Sequence, residues 1–233
     1  LPDINIATPS TSTWAVRVMS EFTVNDVRLQ ENQTLDIQPD AEVSSAGVTV
    51  QVTNCMFAKN STLSVAGLPM KTFLVNGDFH QSSTLSVADS SVSSTMAFSP
   101  SLSLRDSSAL RLNNVTARVL SMIGLVVNES SIIDIDEMSV THSGIKLTDV
   151  QVDASIMRFW NSRLVTTTNT VYSAAILLTN CAFQNGAQFV LENPLVKSIF
   201  SVDAIRLVPT TNSTTIQKHV VHTITSFFET GAV

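Results

Sequence analysis

One apolar position recurs along most of this chain at intervals of 22 to 32 residues. It is occupied in turn by Leu35, Leu63, Leu85, Leu110, Ile133, Met157, Phe189 and Ile216. The residue two further on is apolar in seven of these eight repeats, and Lys218 is the exception. Because alternate residues of a strand point to the same side, each repeat predicts a short strand with one buried face. A repeat of this length built on such strands is typical of a β-solenoid.

The predicted fold is therefore all-β, a right-handed parallel β-helix of about eight coils. Stacked coils place equivalent residues about 4.8 Å apart, so Phe57 should lie on Phe79 and Leu63 on Leu85. The right hand is the default for connections between parallel strands. A β-sandwich with regularly spaced strands is the alternative fold.

Two further columns support the repeat. Six residues before the ladder position lies a mostly apolar column, in which Gln151 is flanked by Val150 and Val152. A slip of one residue at Gln151 would restore an inward apolar side chain. Four residues after the ladder position most residues are turn formers, which predicts a corner. These residues are Pro39, Gly67, Asp89, Asn114, Glu137, Asn161, Asn193 and Val220.

The repeat also divides the chain. Residues 1–24 are expected to form an N-terminal cap, 25–220 the solenoid, and 221–233 a C-terminal strand or cap, since open solenoid ends expose unpaired backbone. Bulging loops are expected in the Ser-rich run 89–100 and in the Thr-rich run 163–173. Because the sequence begins with Leu1 and not with Met, we expect it to be part of a longer protein.

Composition excludes several functions. The net charge of −6 argues against nucleic-acid binding. No apolar run approaches the roughly 18 residues that a membrane span needs, and no signal peptide is visible. The chain contains no nucleophile elbow, phosphate-binding glycine loop or Cys-x-x-Cys motif, so neither a catalytic residue nor a cofactor is predicted.

The two cysteines, Cys55 and Cys181, each lie eight residues before a ladder residue. They therefore occupy one column, five coils or about 24 Å apart. A disulfide needs Cα atoms within roughly 7 Å, so we predict no disulfide and two buried free thiols.

The outward residues next to the ladder carry the candidate binding site. Successive coils place Arg111, Asp134 and Arg158 in one outward column, with Asp136 and Trp160 in the next. One interpretation is a glycan-binding or polysaccharide-cleaving face, in which sugars stack on the tryptophan. The other is a surface ion-pair ladder that contributes little to stability.

No metal site is predicted. His219 and His222 are three residues apart, so on a strand they point to opposite faces and cannot chelate one ion. The acidic run 134–137 lacks the glycine spacing of a calcium loop.

Five Asn-x-Ser/Thr sequons are candidate glycosylation sites. A chain of this amino-acid composition would contain nearly as many by chance. They begin at Asn32, Asn60, Asn114, Asn128 and Asn212. All but Asn114 fall in the corner before the ladder strand, so glycans would line one edge of the solenoid if the chain is secreted. The alternative is that corners favour Asn, Ser and Thr for conformational reasons.

The repeated units at 51–66, 73–88 and 178–191 resemble those of parallel β-helix proteins with the pectin-lyase-like fold. The Ser/Thr/Val-rich, glycine-poor style resembles the dispersed gene family surface proteins of kinetoplastid parasites. The acidic motifs of pectinolytic enzymes are missing, which departs from the enzymes of that fold. The resemblance implies a secreted or surface-displayed structural module, expected in an extracellular or cell-surface location.

Two functions are therefore expected from different classes. The first is a non-enzymatic extracellular structural or adhesion module, part of a larger surface or filament protein. Its partners would be glycans, other extracellular proteins or further copies of the assembly. The alternative is a carbohydrate-active or glycan-binding β-helix that uses the Arg111–Asp134–Arg158–Trp160 face. Convergent carboxylates in a cleft would favour the alternative, and a flat face the first. A viral fibre segment is a third possibility.

Overall fold

The computed structural model describes residues 11–43, 47–166, 174–192, 195–198, 203–208, 221–222 and 227–230. These residues contain strands and no helix, so none of the described residues belongs to a helix that could cross a membrane. The described strands are β1 (Ser12–Val18), β2 (Glu21–Asn25), β3 (Arg28–Leu29), β4 (Gln33–Pro39), β5 (Val48–Phe57), β6 (Thr62–Ala66), β7 (Pro69–Phe79), β8 (Thr84–Leu104), β9 (Ala109–Ile123), β10 (Val126–Val127), β11 (Ile132–Asp136), β12 (Ser139–Val140), β13 (Ile145–Thr148), β14 (Gln151–Asp153), β15 (Ile156–Trp160), β16 (Arg163–Thr166), β17 (Ala174–Thr179), β18 (Ala182–Gln184), β19 (Gln188–Glu192), β20 (Leu195–Ser198), β21 (Asp203–Val208), β22 (Val221–His222) and β23 (Phe227–Thr230).

The strands form four parallel stacks that follow one another around each turn. The ladder stack contains β1, β4, β6, 84–88 of β8, 109–113 of β9, β11, β15, β19 and β22. The second stack contains 69–70 of β7, 91–92 of β8, 116–117 of β9, β12, β16, β20 and β23. The third stack contains β2, 49–53 of β5, 72–75 of β7, 95–98 of β8, 119–123 of β9, β13, β17 and β21. The fourth stack contains β3, 55–57 of β5, 77–79 of β7, 102–104 of β8, β10, β14 and β18.

The chain is thus a right-handed parallel β-helix, and the β-sandwich alternative is wrong because the described strand pairs are parallel. The described residues make about six turns, fewer than the eight coils expected.

The predicted ladder register is confirmed from Leu35 to Phe189, since each ladder residue pairs with the next. The last step is wrong, because Phe189 pairs with Val221 and not with Ile216. Ile216 and Lys218 themselves lie outside the described residues. The expected slip is also confirmed, since Val152, and not Gln151, pairs with Val127 and Phe183.

The core consists of the inward columns of all four stacks. Phe57 and Phe79 stack as predicted, with ring centroids 4.0 Å apart and planes 8° from parallel. Phe73 and Phe98 meet edge to face in the third stack. Burial of each aromatic side chain removes a large apolar area from water, which no single turn could achieve alone.

A tight turn joins the fourth stack to the ladder stack in successive coils. The N–H of the last turn residue donates to the carbonyl three residues earlier, as from Ser83 to His80 and from Ser108 to Arg105. The two central residues Gln81 and Ser82 both have positive φ, as in a type I′ turn. The sequence indicates that these corners are polar, but it does not indicate that the last residue of each corner is buried.

That last residue forms an inward polar column. Its members are Gln33, Ser61, Ser83, Ser108, Ser131 and Ser155. The hydroxyl of Ser61 donates to the Ala58 carbonyl at 2.7 Å and that of Ser108 to the Arg105 carbonyl at 2.6 Å. The serines therefore satisfy the buried corner while leaving room for the bend.

Side-chain amides also link the corners of neighbouring turns. In each case an Asn of one turn donates to an Asp of the turn before it. The pairs are Asn114 to Asp89, Asn161 to Asp136, Asn180 to Asp149 and Asn185 to Asp153. Asp136 and Asp153 are the last residues of their strands, and the other six have the left-handed backbone of a corner, which Asn and Asp tolerate.

One segment differs from the sequence expectation. The Ser-rich run 89–100 is not a loop but part of β8, because Val92, Met96 and Phe98 face the core and the backbone pairs with β7 and β9. Residues 12–25 form β1 and β2, which pair with β4 and β5 as the outermost described turn. Of the second expected loop, 163–166 is β16 and 167–173 lies outside the described residues.

Candidate functional site: a charged face on the ladder strands

Three adjacent ladder strands position the charged residues. Asp134 on β11 pairs in register with Arg111 on β9 and with Arg158 on β15. Their neighbours Leu110, Ile133 and Met157 are fully buried, so the strand alternation forces the charged side chains outward. The structure therefore brings these three predicted residues together in successive turns.

Asp134 is held by two neighbours. Arg158 donates to both carboxylate oxygens, with Nε to Oδ1 at 3.1 Å and Nη2 to Oδ2 at 2.9 Å. The indole Nε1 of Trp160 donates to the same Oδ1 at 2.9 Å. The Arg158 guanidinium carbon also lies 4.0 Å from the centre of the Trp160 ring. The three side chains form one interlocked group, which we call the Asp134 triad.

Arg111 completes the column without joining the triad. It is exposed, and among the described residues the ion pair of Asp134 is with Arg158 alone. Its charge still acts on the carboxylate from the neighbouring turn. Arg111 is therefore the cation of this face with the weakest attachment to the triad.

The pKa of Asp134 reflects these contacts. Burial alone would raise it, but the hydrogen bonds from Arg158 and Trp160 and the positive charges of Arg158 and Arg111 outweigh burial. The pKa of the carboxyl therefore lies below its ordinary value of 3.8. At neutral pH Asp134 is an anion whose oxygens already accept three hydrogen bonds.

This arrangement is poorly suited to acid–base catalysis. A general acid must hold a proton near the working pH, whereas the triad stabilises the ionised carboxylate. Asp136 accepts a hydrogen bond from Asn161 at 3.1 Å and lies on the same strand as Asp134. The face offers hydrogen-bonding groups and one ring for contact with a ligand, but Arg158 covers one side of that ring.

The sequons occupy two corners. Asn32 and Asn60 lie in the turns before the ladder stack, both with positive φ, and Asn60 donates to Asn32 at 3.2 Å. Asn128 begins the equivalent turn three coils later. Asn114 lies in the opposite corner, after the ladder strand. Asn212 lies outside the described residues.

The cysteines lie where the register places them. Cys55 pairs with Gly77, and Cys181 continues the same column beyond Val150. Both are buried and free. Burial raises the pKa of the Cys55 thiol to about 11 and also raises that of Cys181, so neither is a thiolate at neutral pH.

Metal-binding clusters are not formed within the described residues. His222 pairs in register with Val190, but its side chain and His219 lie outside the described part of the chain. The acidic run 134–137 is divided between the triad, the Asn161 contact and a left-handed corner at Glu137.

Sequence reasoning missed two surface concavities. One, of about 370 Å³, crosses the second stack beside Arg118 and His142. The other, of about 460 Å³, lies at the fourth stack beside Arg28, His80 and Asp106. Both cross several turns, so their residues are two dozen positions apart and form no local motif. Only a register for all four stacks could have grouped them.

The chain was compared with protein-family models, with curated proteins and with solved structures. None of the three comparisons finds a match. The β-helix and the Asp134 triad are therefore the observations on which a function can be argued.

Proposed function

We propose that this chain is a non-enzymatic structural or adhesion module of the extracellular space, displayed as one segment of a larger surface or filament protein. The observation that carries the proposal is the unbroken parallel stack of about six turns. Each turn contacts its neighbours through backbone ladders and buried columns, which gives a stiff body with long outward faces. Such a body suits the spacing and display of surface groups.

The state of the Asp134 triad supports a non-catalytic role. Its carboxylate is committed to Arg158 and Trp160, and its pKa is lowered. An enzyme that cleaves glycosidic bonds by the usual two-carboxylate route needs one carboxyl group with a raised pKa. The triad is instead a lateral contact between adjacent turns.

The positions of the sequons support display outside the cell. Asn32, Asn60 and Asn114 are exposed, and Asn32 and Asn60 occupy adjacent turns of one edge. Glycans there would project away from the ladder strands that carry the triad. The resemblance to dispersed gene family surface proteins agrees with this placement and remains a proposal.

The experiment is secretion of the chain from eukaryotic cells, followed by two assays. The expected results are a loss of mass on enzymatic removal of N-glycans and attachment of chain-coated beads to host cells or to matrix proteins. A matched chain with Asn32, Asn60, Asn114, Asn128 and Asn212 changed to Gln controls for glycan effects. A chain that releases reducing ends or unsaturated products from a polysaccharide panel would overturn the proposal.

A second candidate is glycan binding by the ladder face. The observation that favours it is Trp160, whose ring lies beside Asp134 and Arg158 on a half-buried outward surface. Trp160→Ala should then abolish glycan binding, whereas Trp160→Phe should retain part of it. Equal glycan binding by the wild type and Trp160→Ala would contradict this candidate.

A further inference from the structure

The second stack carries a charge pattern that the function above does not use. Between residues 69 and 165, its outward positions and the one or two residues that follow each of its strands hold Lys71, Arg118, His142 and Arg163, and no Asp or Glu. This segregation occurs in a chain with a net charge of −6. Acids are therefore concentrated on other surfaces, and one face is locally basic.

The strand register places the cations at regular spacing. Lys71 follows Met70, which pairs with Val92, and Arg118 follows Ala117, which pairs with the same Val92. Lys71 and Arg118 are thus two turns apart, or about 10 Å. Ser139 pairs with Thr116, and Arg163 pairs with Ser139, so Arg163 lies two turns beyond Thr116. The positive charges therefore recur every second turn along this face, with Arg163 two residues nearer the start of its strand than Lys71 and Arg118.

A shallow concavity of about 370 Å³ lies at the centre of the face. It crosses three turns, and its lining contains two basic side chains, four hydroxyl groups and no carboxylate. These residues are Arg118, His142, Ser91, Ser93, Thr116 and Thr141. Arg118 approaches the His142 Nε2 at 3.4 Å, and its carbonyl accepts from the His142 and Ser143 amides.

The nearest acids lie in the preceding corner and do not face the concavity. Asp89 and Glu137 both have left-handed φ, and Asp89 already accepts a hydrogen bond from Asn114 at 2.8 Å. The positive potential of the concavity is therefore not cancelled by a direct ion pair to Arg118 among the described residues.

We propose that this basic face binds an anionic polysaccharide, with Arg118 at the centre and Lys71 and Arg163 at either end. Hydroxyl groups around a guanidinium suit a ligand that carries both sulfate or carboxylate groups and hydroxyls. The spacing of the cations is close to the length of two linked sugar rings, so one chain could meet them in sequence. No Phe, Tyr or Trp lines the concavity, which disfavours stacked nucleic-acid bases.

The basic face of the second stack is separate from the Asp134 triad, so ligand binding there is independent of the proposed structural role. Because the net charge of −6 makes the protein as a whole repel polyanions, polyanion binding would be confined to the basic face. Binding therefore requires a local patch that overcomes the overall repulsion, and it should weaken as salt screens the contacts.

The test measures binding of the full chain to immobilised dextran sulfate, alginate and neutral dextran. We expect binding to at least one charged polymer and not to neutral dextran. Arg118→Glu should weaken binding by roughly tenfold, as a reversed charge at a central contact. Arg163→Glu provides a second, independent variant. Arg28→Glu, an exposed position on the fourth stack, makes the same change in net charge and should leave binding within about twofold.

Several results would overturn the proposal. They are absence of binding to both charged polymers at low salt, equal losses in Arg28→Glu and Arg118→Glu, and equal binding to neutral dextran. Equal binding to a single-stranded DNA oligonucleotide would identify a general polyanion patch. Competition by free sulfate as effective as that by the polymer, at equal charge, would identify a single oxyanion site instead of a polysaccharide site.

Binding to one charged polymer and not to the other would support the proposal. The difference between dextran sulfate and alginate would then identify which anionic group is preferred.

Discussion

The two sides of the strands β9, β11 and β15 make opposite demands on the sequence. On the inner side Leu110, Ile133 and Met157 are fully buried and stack turn on turn. On the outer side the residues immediately following them are Arg111, Asp134 and Arg158, which remain partly or largely exposed. The same backbone ladder carries both columns. The difference shows that the inner column specifies the fold, whereas the outer column is available for recognition.

The largest expected effect comes from placing a charge on the inner side. Leu85→Asp would bury an unpaired carboxylate between Leu63 and Leu110. We expect a loss of more than about 4 kcal/mol and failure to fold. Ser86→Asp places the same group on the outer side and should change the free energy of unfolding by less than about 0.5 kcal/mol. Thermal melts of both variants would sharpen the comparison, and similar melts would refute the register.

A backbone position on the inner side should be nearly as sensitive. Gly77 has φ of +144°, and a Cβ there would lie 2.3 Å from the carbonyl oxygen of Cys55. Gly77→Ala should cost at least about 3 kcal/mol in unfolding free energy, because neither backbone can move without breaking the ladder.

Gly67 provides the matched control for Gly77. Its φ is +66°, but a Cβ there would meet no atom within 4 Å. Gly67→Ala should therefore cost only about 1 kcal/mol, for the conformation alone. Equal losses in the two alanine variants, measured by denaturant unfolding, would show that the close approach to Cys55 is not real.

The Asp134 triad should contribute a small, pH-dependent stability. Its carboxyl has a pKa below the ordinary 3.8 when folded, so the contribution is complete above that pH. It is lost as the pH falls through the lowered folded value. Asp134→Asn should reduce the free energy of unfolding by up to about 1 kcal/mol at neutral pH. The gap in melting temperature between wild type and variant should close in strong acid; a constant gap would contradict the assignment.

The smallest effect is expected at Arg111. It is exposed and makes no ion pair to Asp134 within the described residues. Arg111→Ala should change the free energy of unfolding by less than about 0.5 kcal/mol. Arg158→Ala, which removes two hydrogen bonds and the contact with Trp160, should cost more. A larger loss for Arg111→Ala than for Arg158→Ala would reverse the order inferred from the contacts.

The sequence predicted the inner side better than the outer side. The alternation of Leu63 and Val65, repeated at Leu85 and Val87, determines direction, register and stacking, because burial allows few alternatives. The register also predicted that Arg111, Asp134 and Arg158 form one column. It could not predict that Trp160 would lean to Asp134 and not to its register partner Asp136, because surface rotamers depend on contacts that no periodicity encodes.

Where prediction failed, the cause was ambiguity in polar segments. The Ser-rich run 89–100 breaks the strict alternation of buried residues between Val92 and Met96, where Ser93 and Ser94 are both exposed, yet its backbone completes the ladders between β7 and β9. The sequence marks Ser83 and Ser108 as turn residues, and the structure shows that both are buried. Ser suits both an exposed turn and a buried corner, so its identity alone does not distinguish them.

The corner amide contacts have a direction that bears on how the molecule is made. In the pairs from Asn114 to Asp89 and from Asn161 to Asp136, the acceptor belongs to the turn nearer the N-terminus. During synthesis, each acceptor leaves the ribosome about two dozen residues before its donor. For these side-chain contacts, a newly emerged turn therefore finds its acceptor already in place. The protein can be assembled one rung at a time, in the order in which its message is read.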